Sequence, residues 1–208
     1  MLNSGLLAAF VPTFMVVSFT PGMCMTLAMS MGMTIGVRKA LWMMLGELTG
    51  VGLVATSSVI GVAAIMLQAP EFFTWFKWIG GAYLGWLGIQ MWQSKGSLAM
   101  PENPDNYNRN TKPWALISQG FVTAVANPKG WAFFVVFLPP FIDVDKPMAP
   151  QLVVLTLLLL SIEFVSLLLY ANGGKALAKM LTKTSNVKTI NRVSGTLMIG
   201  VGLWLALG

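Results

Sequence analysis

Charge is scarce in this sequence. Of its 208 residues, 10% are Asp, Glu, Lys or Arg, against about 25% in an ordinary soluble domain. Too little charge is available to clothe a water-facing surface, which excludes a soluble globular protein. Histidine is absent and Cys24 is the single cysteine, so an internal disulfide, a Cys/His zinc site and a histidine proton relay are excluded. Any proton chemistry falls to carboxylates, lysine or tyrosine. Strict two-residue alternation of apolar and polar residues is missing too, which argues against a β-barrel.

What is present is hydrocarbon. Hydrophobic residues make up 56% of the chain and the mean hydropathy is +0.73, the composition of an integral membrane protein. Apolar stretches fall at about 5–34, 40–68, 72–93, 114–140, 150–173 and 189–207, and at about 20 residues per span they predict six transmembrane helices in one domain covering residues 1–208. The first stretch reads as a retained span, because it lacks a basic n-region and a small-residue cleavage site. Breaks are predicted at Gly36-Val37-Arg38-Lys39, at Gln68 to Glu71, in the polar segment Ser94 to Pro113, at Asp143 to Pro147, and in the basic segment Lys175 to Lys188.

Basic residues set the orientation. Odd-numbered connections hold Arg38, Lys39, Lys95, Arg109, Lys112, Lys175, Lys179, Lys183, Lys188 and Arg192, whereas even-numbered ones hold Lys77 and Lys146. Because cytoplasmic loops are enriched in Lys and Arg, both termini are predicted to be periplasmic and the 94–113 loop cytoplasmic. The net charge of +6 is thus a topology signal, and no nucleic-acid partner is expected.

The two halves of the chain resemble each other. Pro21, Glu47, Gly81 and Gly88 in residues 1–93 correspond to Pro128, Glu163, Gly195 and Gly202 in residues 114–208, at offsets of 107, 116, 114 and 114. With three helices each, the halves must run oppositely through the bilayer. The predicted fold is therefore an all-α membrane protein of six helices in two inverted-topology three-helix repeats, an arrangement typical of secondary transporters whose site lies near the midplane. Channels can be built in the same way.

Chemistry concentrates at that depth. Pro21 and Pro128 each lie roughly 20 to 25 Å along their helices at 1.5 Å per residue. A mid-span proline frees a carbonyl one turn earlier, and Gly22 lets the backbone open, so both breaks could present polar backbone to a ligand; a packing kink is the plainer reading of either one. Glu47 and Glu163 are the acidic residues deep within apolar spans, where a charge costs about 3 kcal/mol or more. They either tie helices together or, by gaining and losing a proton, couple substrate movement to a proton gradient. Lys129, the cation at mid-span, could pair with a glutamate or accept a substrate carboxylate, and Asn127 adds a side-chain donor and acceptor. The candidate substrate-binding and coupling set is Pro21, Gly22, Glu47, Asn127, Pro128, Lys129 and Glu163. No catalytic residue, metal or cofactor is expected, and the chain does not read as an enzyme.

Other features read as structural. Gly80, Gly81, Gly85 and Gly88 permit close helix packing, within the chain or in a homodimer. Trp75, Trp78, Trp92 and Trp114 read as interfacial anchors, and Met23, Met25, Met29, Met31, Met33, Met43 and Met44 as adaptable core filling. Cys24 reads as an inert small residue.

Together, Ser18-Phe19-Thr20-Pro21-Gly22, Gly46-Glu47, Gly80-Gly81-Ala82-Tyr83-Leu84 with Gly88, Asn127-Pro128-Lys129 and Glu163 resemble the LysE family of amino-acid exporters. The likeness spans essentially the whole chain and is nearest to the branch of homoserine, threonine and leucine-type exporters. It implies efflux of amino acids or close derivatives across a bacterial inner membrane, driven by the proton-motive force. The chain departs from the family pattern where Pro21-Gly22 is followed by Met23 and Cys24 instead of a second proline and a polar residue, and where Glu47 replaces a frequent aspartate. Two other classes bear on the same residues: an inorganic-ion exporter, which would bind cations through carboxylates and carbonyls, and a membrane thiol-disulfide carrier, which needs two cysteines where this chain has one.

Overall fold

The first long apolar run does not form one helix. In the computed structural model, which describes residues 4–68, 70–94, 111–143, 146–182 and 184–207, it divides into α1 (Ser4–Phe19) and α2 (Met23–Thr34). The two parts meet at 55°. Pro21 has no N–H to donate and disfavours helical backbone at Thr20, and the chain re-enters a helix at Met23. Gly22 is not what permits the bend: its φ of −138° and ψ of −174° are ordinary extended backbone, open to any residue. At Gly36 glycine does matter. There φ is +85°, and the Gly36 N–H bonds the Met31 carbonyl at 3.1 Å, closing α2 and turning the chain directly into α3 (Val37–Gln68).

The remaining elements follow the predicted runs with two differences. α4 spans Pro70–Gln93, and the fourth run is again divided, into α5 (Pro113–Val125), α6 (Pro128–Phe137) and a single 3-10 turn at Pro139–Phe141. α7 covers Met148–Thr182 and α8 Thr184–Leu207. The basic segment predicted as a connection is thus largely helical: α7 continues past a break at Gly174, where φ is +33° and ψ −116°. Its alanines, leucine and lysines favour helix, leaving the Gly173-Gly174 pair to supply the change of direction. No strand occurs among the described residues. Three helical stretches, Val37–Ala64, Met148–Gly174 and Ser185–Leu207, are long and apolar enough to cross a membrane, and the bent pair Phe10–Phe19 with Met23–Thr34 makes a fourth if it counts as one span.

Glycine seams join these helices. α4 and α8 run antiparallel, and a Cβ at Gly81 would lie 2.5 Å from the Gly202 carbonyl oxygen, one at Gly88 2.5 Å from that of Gly195. Backbones this close gain dispersion contacts that lipid would not supply. Gly46 and Gly120 hold α3 against α5 in the same way, their missing side chains leaving room for the carbonyls of Ile117 and Met43, and Gly32 seats α2 on the Ala171 carbonyl of α7. The glycine face of α4 is therefore largely consumed inside the chain, although a Cβ at Gly85 would have open space. Trp75, Trp78, Trp92 and Trp114 are exposed. Trp92 is more than an anchor, since its Nε1 donates to Thr196 Oγ1 at 2.9 Å and the Arg192 guanidinium lies 5.3 Å from its ring.

Two cores result. One is aromatic, with Phe10, Phe14, Phe133, Phe134, Phe137 and Phe141 packed ring against ring. The other is sulfur-rich, built on Met25, Met29, Met31, Met43 and Met44 beside Leu167 and Tyr170. Met23 and Met33, also expected to fill the core, are exposed.

Candidate functional site

Between the two cores lies a cavity of about 170 Å³. Five of the seven candidate residues line it: Pro21 and Gly22 at the first break, Glu47 on α3, Asn127 at the second break and Glu163 on α7. Backbone placement puts Pro128 and Lys129 in the first turn of α6, and their side chains lie outside those described. Cys24 also lines the cavity, so it is not simply packed away.

The breaks leave fewer open carbonyls than proline alone would suggest. At the first, the Thr20 N–H takes the Val17 carbonyl at 3.2 Å, and the Tyr170 hydroxyl of α7 donates to the Phe19 carbonyl at 2.9 Å. Thr26 Oγ1 returns to the Gly22 carbonyl at 2.9 Å. At the second, Trp131 Nε1 donates to the Val125 carbonyl at 2.9 Å. An aromatic donor thus covers one backbone acceptor beside each break. The polar character of the cavity comes from side chains instead.

Glu163 is provided for. Ser18 Oγ, in the last turn of α1, lies 2.5 Å from Glu163 Oε2 and 2.9 Å from Ser166 Oγ, and Ser166 Oγ lies 3.0 Å from the Ile162 carbonyl. Each hydroxyl has one hydrogen and can also accept. When the carboxyl is ionised, Ser18 donates to it. When it is protonated, the carboxyl donates to Ser18, which donates to Ser166, which donates to the Ile162 carbonyl. Both protonation states are satisfied by turning hydroxyls, with no helix displaced.

Glu47 is not provided for. It is 0% exposed, and neither carboxylate oxygen has a hydrogen-bond partner among the described residues. The Cys24 thiol and the Glu163 carboxyl lie close enough to act on it electrostatically, yet neither meets it in well-aligned hydrogen-bond geometry. Apolar side chains complete the wall: Phe14 from α1, Val51 and Val54 from α3, Phe133 and Phe134 from α6, and Met198 from α8.

Several polar residues at this centre were not singled out from the sequence. Ser166 and Tyr170 stand three and seven positions after Glu163, on the same helical face, and that spacing was the signal available for them. Ser194 of α8, whose hydroxyl meets that of Thr20, and Trp131 carried no such signal, because their partners come from separate turns and helices.

The chain is similar to known proteins along nearly its whole length. Residues 15–208 match the family described as LysE type translocator. A membrane protein of Vibrio cholerae without assigned function is 29% identical over 198 residues, covering 95% of each chain. The homoserine/homoserine lactone efflux protein of Salmonella typhimurium is 26% identical over 95% of this chain and 94% of its own, and the leucine efflux protein of an Enterobacter species 28% identical over 89% and 88%. No solved structure matches the chain. With nearly its whole length matched, the chain belongs to the LysE family of translocators.

Proposed function

We propose that this protein is a secondary transporter that exports amino acids or close derivatives across the bacterial inner membrane in exchange for protons. One observation carries the reading: two carboxyls from different helices, Glu47 and Glu163, line one cavity at the break in a bent helix. Intramembrane carboxyls cost too much to be placed idly, and Glu163 sits in a hydroxyl chain able to serve it with or without its proton. The efflux activities named for the two enterobacterial relatives supply the cargo class.

In this reading the chain crosses the bilayer six times, as inverted repeats at residues 1–93 and 114–208, with periplasmic termini and a cytoplasmic 94–113 loop. The helix pairs α1/α2 and α5/α6 are then each one broken span meeting at the midplane. Pro21, Gly22, Asn127 and Pro128 shape the site, Glu47 and Glu163 carry positive charge, whether proton or ligand, and Lys129 is its cationic member. The protein acts as a transporter and needs no cofactor.

The test is reconstitution in proteoliposomes with an imposed pH gradient. Wild-type protein drives amino-acid accumulation against its gradient, and Glu47→Gln and Glu163→Gln each abolish the coupling. Wild-type transport by both variants would refute the assignment of these carboxyls. Maleimide labelling from the periplasmic side of a cysteine introduced at Ser97 would refute the topology.

A further inference from the structure

We infer that the cavity recognises a primary ammonium ion bearing a compact aliphatic group, with Glu47 as its counter-ion, and that a carboxylate on the ligand is not required for binding. The inference deepens the exporter reading, on which it rests, and extends the cargo from amino acids to simple alkylamines.

The first ground is an unmet demand. Glu47 is buried at the edge of the cavity, with both oxygens lacking partners among the described residues, whereas buried polar groups ordinarily find one. Glu163 makes the contrast, since Ser18 already serves it. What Glu47 lacks is a strong, well-aligned donor, since the nearby Cys24 thiol is a weak one, and a cationic donor suits a carboxylate best. An ammonium group brings three N–H donors, so one ligand group can serve Glu47 and reach the adjacent Glu163 as well.

The second ground is the shape and lining of the space. A cavity of about 150 Å³ accepts a benzene-sized molecule, so the 170 Å³ here suits a ligand of about that bulk. Beyond the carboxyls, Ser18, Thr20 and Asn127 lie toward the two breaks, no cationic side chain is among the described lining residues, and Phe14, Val51, Val54, Phe133 and Met198 supply surfaces for hydrocarbon. A branched four- or five-carbon chain fills such a space; a second charged group at its far end would be desolvated against apolar walls. An inorganic cation fits less well, because hard cations take about six or more oxygen ligands and no cluster of three or more His, Cys, Asp or Glu side chains suited to a metal occurs among the described residues.

Three probes separate the groups of one molecule: leucine, isoamylamine, which is leucine without its carboxylate, and isocaproate, which is leucine without its amine. Binding to the full-length purified protein is read by calorimetry and by the shift in melting temperature. Leucine and isoamylamine are expected to bind and to displace each other, and isocaproate to bind at least about tenfold more weakly, the value of one charge-assisted hydrogen bond. Glu47→Gln should weaken both amines by about tenfold or more on the same scale, while Glu47→Asp retains binding. If Glu47→Gln does not fold, the wild-type series decides by itself. Isocaproate binding as tightly as isoamylamine, unchanged amine binding by folded Glu47→Gln, or no binding by any of the three would overturn the inference. Export of amino acids under a pH gradient together with indifference to isoamylamine refutes this inference and leaves the exporter reading standing; amine binding without transport of any amino acid does the reverse.

Discussion

The two helix breaks look alike in sequence and differ in how they are held. At Thr20-Pro21-Gly22 the flanking groups reach across the molecule: Ser18 to Glu163 and Ser166, Thr20 to Ser194, and Tyr170 back to the Phe19 carbonyl. These contacts bind the end of α1 to α7 and α8. At Ala126-Asn127-Pro128 the contacts to the backbone carbonyls are local: Trp131 covers the Val125 carbonyl six residues away, and the Gly130 and Trp131 N–H groups return to the Asn127 carbonyl at 3.1 and 3.3 Å. The first break is a joint held by side chains of other helices; at the second the backbone hydrogen bonds close locally, while Asn127 lines the same cavity as the carboxyls. Removing a side-chain contact at the first should therefore reach Glu163, whereas removing the Trp131 contact at the second touches no group bonded to a carboxyl.

The largest effects should not tell the two breaks apart. Gly32→Val drives a side chain into the Ala171 carbonyl behind the first break, and Gly120→Val does the same to the Met43 carbonyl behind the second. Backbone cannot yield as a flexible side chain does, so each should cost more than about 3 kcal/mol and abolish the monodisperse peak in size-exclusion chromatography. A normal peak for either variant would mean that the seam beside that break is not rigid.

Next comes Ser18→Ala, which takes from Glu163 its hydroxyl partner and should destabilise the protein by about 1–3 kcal/mol. It should also impair gradient-driven transport in vesicles, with Ser18→Thr restoring most of it. Full transport by Ser18→Ala would show that the joint does not communicate with the carboxyl. Smaller again are Tyr170→Phe and Trp131→Phe, each leaving one carbonyl without its side-chain donor at about 1 kcal/mol in thermal melts. If the comparison holds, Tyr170→Phe lowers transport as well, and Trp131→Phe lowers stability alone. The smallest effect belongs to Gly22→Ala: with extended backbone and the nearest atom 4.0 Å from the added Cβ, the change should stay within about 0.5 kcal/mol. A severe loss would return to Gly22 the role the sequence suggested for it.

Much of the site's membership was legible beforehand because it rested on local rules. Proline cannot donate to its own helix, so breaks near Pro21 and Pro128 followed from their place in apolar runs. An acid within hydrocarbon is too costly to be incidental, which singled out Glu47 and Glu163, and the structure places both on one cavity. Gly81 and Gly88 signalled close packing, but not that α8 would be the partner, because a small residue states only that something approaches. The Lys175 to Lys188 segment misled for a related reason: charge there signals exposure to water, and an exposed helix carries charge as readily as a loop does.

The sequence by itself determined that this chain is helical and apolar, where its first and fourth runs break, and which acids lie at depth, since each follows from composition or from a residue acting on its own backbone. Only the tertiary structure decided that the two glutamates share a cavity, that Ser18 satisfies Glu163, and that Glu47 is left without a described partner. Those facts depend on how separate helices pack, and packing is settled by glycine seams and side-chain shapes whose partners lie up to 174 positions apart, as Thr20 and Ser194 do.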